Sequence, residues 1–219
     1  VQAVLDACTE MGMTHRGVLW ADGDDYTNVR LPKNWHLIQR DENLGIGPVM
    51  NALFKRFRGA SHYGWLADDT LPRTPHFDRL LVEAAGDYGL AYAHDGGYRS
   101  NADYDGAIRN GYELTAGLVW SGELLRAAGW WALPGLRQAY VDVVWCELIV
   151  PLGLSRYTPE VIVEHMQWRN GKRQKDAWDE MADGPSSTIV MADRVVYDQW
   201  KTDGWEDTLT RLAPVQVAA

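Results

Sequence analysis

Short apolar runs of strand length alternate along the chain with stretches whose apolar residues recur every three to four positions, and this alternation most narrows the folds available. Val1, Val4, Leu5, Cys8 and Met11 share one helical face, and Gly12 follows as a stop signal. Residues 17–21 read as a strand running into the acidic turn Asp22-Gly23-Asp24-Asp25, and residues 35–39 as a second strand. The run from Asn43 to Pro48 precedes a helix with Val49, Ala52, Leu53 and Phe57 on one stripe. Residues 63–67 form a further strand that ends in Asp68-Asp69-Thr70. Thr74-Pro75 is expected to cap a helix carrying Phe77, Leu80, Leu81, Ala84 and Ala85.

Residues 90–93 and 114–120 read as strands separated by a long loop over 94–110 rich in Gly, Asp, Asn and Tyr, which suggests a functional segment. Ser121 is placed to cap the helix after it, a long helix is expected over 136–150, a late strand over 161–164, and covering helices over 189–212. This order calls for an α/β fold with a mostly parallel sheet covered by helices on both sides. Ligands in such sheets gather at the carboxyl ends of the strands, where Asp22, Asp68 and the loop after Ala93 converge. A domain over 1–183 with a helical extension over 184–219 on the same core is the expected division.

Composition removes several function classes. With 219 residues and 46% hydrophobic content the chain can bury one good core. A net charge of -9 disfavours duplex DNA as a partner. Asp142, Glu147 and Pro151 interrupt the most apolar stretch, over 141–154, so no membrane span is expected and the cytoplasm is the default location. Cys8 and Cys146 lack any CxxC spacing and read as buried small hydrophobes, while the six histidines form no HxH or HExxH pattern. Metal binding is therefore left to carboxylates. Two basic clusters, Lys55-Arg56-Arg58 and Arg169-Lys172-Arg173-Lys175, could each hold a phosphate or simply form a solvated face. Gly45-Ile46-Gly47 is not a dinucleotide fingerprint, because Met50 stands where the third glycine would be.

Asp68 and Asp69 at a strand end are suited to holding a divalent cation that neutralises a diphosphate leaving group, with a helix cap or surface turn as the competing reading. Asp142 lies among apolar neighbours on a helix, an expensive place for a carboxylate unless it is paired, faces a cleft or reacts.

Several of these stretches resemble one family. Asn43-Leu44-Gly45 with Asn51 in the next helix, then Trp65-Leu66-Ala67-Asp68-Asp69-Thr70-Leu71-Pro72, is similar to a run in family 2-type glycosyltransferases. The segments Tyr140-Val141-Asp142-Val143-Val144-Trp145 and Val163-Glu164-His165-Met166, followed by Gly171-Lys172, look like the later part of phage and bacterial members, so the resemblance spans residues 1–179. It implies a GT-A-like fold, Rossmann-like, whose first strand is not visible ahead of the first helix. It implies Mn²⁺ or Mg²⁺ held by Asp69, Asp68 and His165, although Ala67 stands where many members carry the first Asp. Asp22, Asp24, Asn43, Asn51, Asp68 and Lys172 would contact the nucleotide sugar, with Arg169 beside Lys172. Asp142 would be the catalytic base, and Trp65, Trp120 and Trp130 a sugar-facing wall.

The implied reaction moves a sugar from a UDP- or GDP-sugar donor to the hydroxyl of a glycan, small molecule or modified nucleobase, with inversion expected if Asp142 is the base. A catalytically inactive nucleotide- or glycan-binding or virion-associated module on the same scaffold is the alternative. Nucleotidyl transfer would need a glycine-rich phosphate loop near the start, which is not visible.

Overall fold

The computed structural model describes residues 1–22, 26, 28–96, 117–166, 168, 171–175, 180 and 188–213, with only the backbone of Asp22 included. Its elements are α1 (Gln2–Glu10), β1 (Gly17–Asp22), β2 (Trp35–Arg40), α2 (Ile46–Arg56), β3 (His62–Trp65), β4 (Thr70–Pro72) and α3 (Phe77–Ala85). There follow β5 (Leu90–His94), β6 (Leu118–Ser121), α4 (Gly122–Ala128), α5 (Val141–Ile149), β7 (Ser155–His165), α6 (Thr188–Asp203) and α7 (Trp205–Leu212).

The period of two along the strands divides the core into two layers. Leu90 and Tyr92 of β5, with Leu118 and Trp120 of β6, turn to a cluster built with α2, α4 and α5. Ala91, Ala93 and Val119 turn the other way, against Val4 and Cys8 of α1 and Phe77, Leu81 and Ala85 of α3. β5 and β6 are therefore apolar on both faces, as strands between two helical layers must be. Cys8 and Cys146 are buried and unoxidised, as their spacing suggested. Trp200 of α6 and Leu212 of α7 join the first cluster, so the late helices pack on that core.

β1 and β2 form a parallel pair, and the other five strands form a sheet in the order β3-β6-β5-β7-β4. β5 and β7 are parallel, whereas β6 runs against both its neighbours and β4 runs against β7. The α/β architecture with a helix-flanked sheet is as expected, and the expectation of mostly parallel pairing is corrected to a mixed sheet. The reason lies in the connections: β4 follows β3 after a four-residue turn and β6 follows β5 without a described crossover helix, so neither needed parallel geometry.

Local chemistry explains both ends of α4. The Ser121 hydroxyl accepts from the Leu124 N–H at 3.2 Å and caps α4, and Gly129 closes that helix in the left-handed region. Thr74 does not cap α3. Its hydroxyl accepts from the Ile162 N–H at 2.8 Å and donates to the Glu160 carbonyl at 3.3 Å, which ties it to β7 instead. The helix expected over 136–150 begins only at Val141, because Asp193 of α6 takes the N–H groups of Arg137, Gln138 and Ala139 in a non-helical loop. Among the described residues no helix is long and apolar enough to cross a membrane.

Candidate functional site

The acidic pair lies in the turn between β3 and β4. Both the N–H and the hydroxyl of Thr70 donate to the Ala67 carbonyl, at 3.2 and 2.8 Å, which tightens that turn. β4 then pairs antiparallel with the end of β7, setting Thr70 opposite His165 and Leu71 opposite Glu164. The Met166 N–H donates to the Asp69 carbonyl at 2.8 Å, and the Asp69 Oδ2 lies 3.1 Å from the His165 Nε2. These two candidates are thus brought together by strand pairing across 96 positions of sequence.

A slip in the ladder helps to aim this end of β7. Ala93 pairs with Thr158, but the next residue, His94, pairs with Ile162. The extra residues include Pro159, which has no N–H to give a ladder, and such bulges redirect a strand end. His165 is further fixed by its N–H, which donates to the carbonyl of the buried Asp95 at 2.9 Å.

Cations surround the pair. Arg173 Nη2 stands 3.7 Å from Asp69 Oδ2, and Lys172 Nζ 2.7 Å from Glu164 Oε1 and 3.3 Å from the Gly96 carbonyl. Arg73 holds the other Glu164 oxygen through Nε at 2.7 Å. The Lys172 and Arg73 hydrogen bonds keep the Glu164 carboxyl below its ordinary pKa, against the upward push of its partial burial. Successive residues of a strand face opposite ways, so His165 meets Asp69 while Glu164 anchors the neighbouring cations.

A carboxylate oxygen facing an imidazole nitrogen offers mixed O and N donors, chemistry that accommodates Mn²⁺ more readily than Mg²⁺, which prefers oxygen. Asp69 and His165 are two such donors, and no group of three or more His, Cys, Asp or Glu is set to hold a metal among the described residues. Asp68 is exposed and lines the rim of a cleft of about 980 Å³ that also includes Asn43, Trp65 and Trp20.

The remaining candidates divide. Asp22 ends β1 opposite Arg40 in the parallel register, and Asp24 and Arg169 lie outside the described residues, as do residues 97–110 of the segment expected to be a long loop. Asn43 is exposed at the cleft, its carbonyl accepting from Arg137 Nη2 at 2.7 Å. Asn51 is held by the 131–132 backbone: its Oδ1 accepts from the Trp131 and Ala132 N–H groups at 2.9 and 3.0 Å and its Nδ2 donates to the Ala132 carbonyl at 2.8 Å. These bonds fasten α2 to the loop before α5. Asp142 is half-buried in the first turn of α5, where Oδ1 accepts from the Val143 N–H at 2.9 Å and the helix N-terminus favours its charge. It is not among the residues that line the cleft.

Two of the three tryptophans expected to face sugar do not. Trp120 is fully buried and Trp130 nearly so, in a core cluster where Trp120 meets Trp131 at 5.6 Å and Trp130 meets Trp145 at 5.2 Å between ring centroids. Sequence reasoning also passed over Arg173 as a partner of Asp69. The signal was present, since Arg173 belongs to the basic run that drew attention to Lys172.

Gly45 and Gly47 have a structural purpose. Gly45 has φ +82, and a Cβ there would come within 2.5 Å of the Arg137 carbonyl. The Gly47 N–H donates to the same carbonyl at 3.1 Å, so the glycines let α2 approach the 136–137 backbone.

Among known proteins, no protein-family profile matches the chain, and no curated protein sequence matches it. Among solved structures it is similar to the mannosyltransferase PcManGT from Pyrobaculum calidifontis in complex with GDP-Man and Mn2+, with a TM-score of 0.54 and 14% identity over 96% of this chain and 68% of that one. The chain therefore has the α/β fold of a glycosyltransferase.

Proposed function

We propose that this chain is a divalent-metal-dependent glycosyltransferase that transfers a sugar from a nucleotide-sugar donor to an acceptor hydroxyl. The observation that carries the reading is the Asp69–His165 pair at 3.1 Å, flanked by Arg173 and Lys172, on a fold shared with a mannosyltransferase that binds GDP-Man and Mn2+. In this reading Asp69 and His165 hold Mn²⁺, with Asp68 beside them on the cleft rim. The bound ion would supply neutralisation of the negative charge that builds on the departing diphosphate.

The chain's own residues do the rest. Lys172 and Arg173 face the diphosphate as a point charge and a fork, held in place by Glu164 and Asp69. Asp22, Asp24 and Asn43 contact the nucleotide from the β1 and β2 side. Asp142 takes the acceptor proton as the acceptor oxygen bonds to the sugar carbon and the bond from that carbon to the phosphate oxygen breaks, which gives inversion. Residues 1–183 carry this site and 184–219 brace it from the core side.

The test is a thermal-shift panel of GDP- and UDP-sugars with and without Mn²⁺. A donor at a hundred times its Kd adds about 2.7 kcal/mol, which for a chain of this size raises Tm by about 5–10 °C. Asp69→Ala removes the Mn²⁺-dependent part, and Asp142→Asn keeps the shift while abolishing transfer. No shift from any donor in the wild-type chain overturns the proposal.

A further inference from the structure

Residues 55–59 are all exposed where α2 ends and the chain turns toward β3. Phe57 stands at the centre of this turn with 41% of its surface open to solvent. The Arg56 guanidinium lies over its ring, 5.7 Å from the centroid, and Lys55 and Arg58 flank the pair in sequence. Space around the turn is open, since a Cβ added to Gly59 would meet nothing within 4 Å.

Hydrogen bonds from the core side hold the turn in this shape. The Phe57 carbonyl accepts from the Tyr63 hydroxyl at 2.6 Å and from the Ala60 N–H at 2.8 Å, while Arg126 Nη1 donates to the Arg58 and Ala60 carbonyls at 3.0 and 3.1 Å. Little backbone freedom is then left to lose when the turn docks. Among the described residues Lys55, Arg56 and Arg58 pair with no carboxylate, whereas the cation beneath them, Arg126, is matched by Glu123 at 3.0 Å. The corner thus carries three uncompensated positive charges on a chain of net charge -9. Scattered exposed apolar side chains are ordinary, and Lys55 and Arg56 in the last turn also favour the dipole of α2. Neither accounts for Arg58, which lies beyond the helix, or for an aromatic ring set among all three.

We propose that this turn docks the chain on an anionic lipid surface, with Phe57 entering the headgroup boundary and Lys55, Arg56 and Arg58 meeting the acidic headgroups. A lipid interface supplies both complements at once, negative charge at its surface and apolar chains just beneath. Nucleic acid fits less well, because the net charge repels a long phosphate backbone and the cations crowd one turn instead of forming a stripe. Arg56, Phe57 and Arg58 rim the cleft ahead of β3, whereas Asp68 and Asp69 follow that strand. Docking through the turn therefore leaves the candidate site clear of the lipid. This inference does not depend on the proposed chemistry.

The test is co-sedimentation of the full chain with vesicles of phosphatidylcholine alone and of phosphatidylcholine and phosphatidylserine in equal parts, at low and high salt. The chain should bind the mixed vesicles at least about tenfold more tightly than the neutral ones, and the preference should shrink as salt rises. Changing Lys55, Arg56 and Arg58 together to Gln weakens that binding about a hundredfold, at about fivefold for each cation. Phe57→Ser weakens it about three- to tenfold at either salt concentration. Lys55→Arg with Arg56→Lys and Arg58→Lys keeps it, and Arg30→Gln with Lys33→Gln, exposed cations elsewhere, changes it less than about twofold. The proposal is overturned if the chain shows no preference for mixed vesicles, if the three-Gln variant binds them like wild type, or if the Arg30 and Lys33 changes cost as much. It is equally overturned if the three-Gln variant loses binding to a DNA duplex or to polyglutamate but not to vesicles.

Discussion

Replacing Asp78 tests how the edge of β1 is held in place. Asp78 is 5% exposed in the first turn of α3, and its Oδ2 accepts from the Thr14 N–H at 2.9 Å, the His15 N–H at 3.0 Å, the Thr14 hydroxyl at 3.3 Å and the His15 ring Nδ1 at 2.6 Å. These bonds fix the residues that lead into β1. Asp78→Ala leaves two backbone donors without an acceptor, each worth about 1–3 kcal/mol where water cannot replace it. His15 is 48% exposed, so water recovers part of the loss and the expected cost is about 3 kcal/mol, or a fall in Tm of about 6–12 °C.

Acid removes the same contribution. Burial pushes the Asp78 carboxyl upward, but the His15 and Thr14 N–H groups and the His15 ring together hold it below its ordinary 3.8. A carboxylate with a lowered folded-state pKa stabilises above its unfolded value, and that stabilisation is lost as pH falls through the folded one. Urea unfolding of wild-type and Asp78→Ala chains should therefore differ by the full amount at pH 7 and converge progressively below pH 3.8. A difference under about 1 kcal/mol at pH 7, or one that persists unchanged in acid, refutes the reasoning.

Two further outcomes are expected. Asp193→Ala removes the buried acceptor of the Arg137, Gln138 and Ala139 N–H groups, at 2.8, 2.7 and 2.6 Å, and should cost about 3 kcal/mol in urea unfolding while speeding exchange of those three amides; unchanged exchange would show that the loop stands without α6. Glu164→Gln releases Lys172 and Arg73 but breaks only partly exposed pairs, so its cost at pH 7 should be about 1 kcal/mol or less. The Glu164 pKa is lowered, so wild type and this variant should converge as pH falls below 4.5, and a constant gap from pH 6 to pH 3 would count against the Lys172 and Arg73 contacts.

The local parts of the fold were legible because they depend on neighbours in sequence. The apolar stripe of α3, the cap at Ser121 and the six-residue strands β1 and β2 all carry period or capping signals within a single window. Thr74 was misread for the same reason: a Thr-Pro pair near a helix start looks like a cap until a distant strand claims the hydroxyl. The expected long helix over 136–150 failed over residues 136–140, since nothing nearby announces that Asp193 will hold that backbone. Asn51 and Trp120 show the limit on the site side. Residue type says what a side chain can bond or face, but only packing decides whether a loop or a ligand takes it.

What no window could contain is β4, three residues long and ending in Pro72, yet this strand assembles the candidate site. Its pairing with β7 sets Thr70 against His165, and Asp69, one residue earlier, is carried to the imidazole. The opposite facing of Glu164 and His165 is then repeated one step on by Lys172 and Arg173, the first bonded to Glu164 and the second beside Asp69. Glu164 of β7 and Asp69, set against the next strand residue His165, thus each stand beside one of two adjacent cations, and a shift of β7 by a single position would disturb both arrangements. The register of a three-residue strand therefore controls whether an acid and an imidazole meet at all.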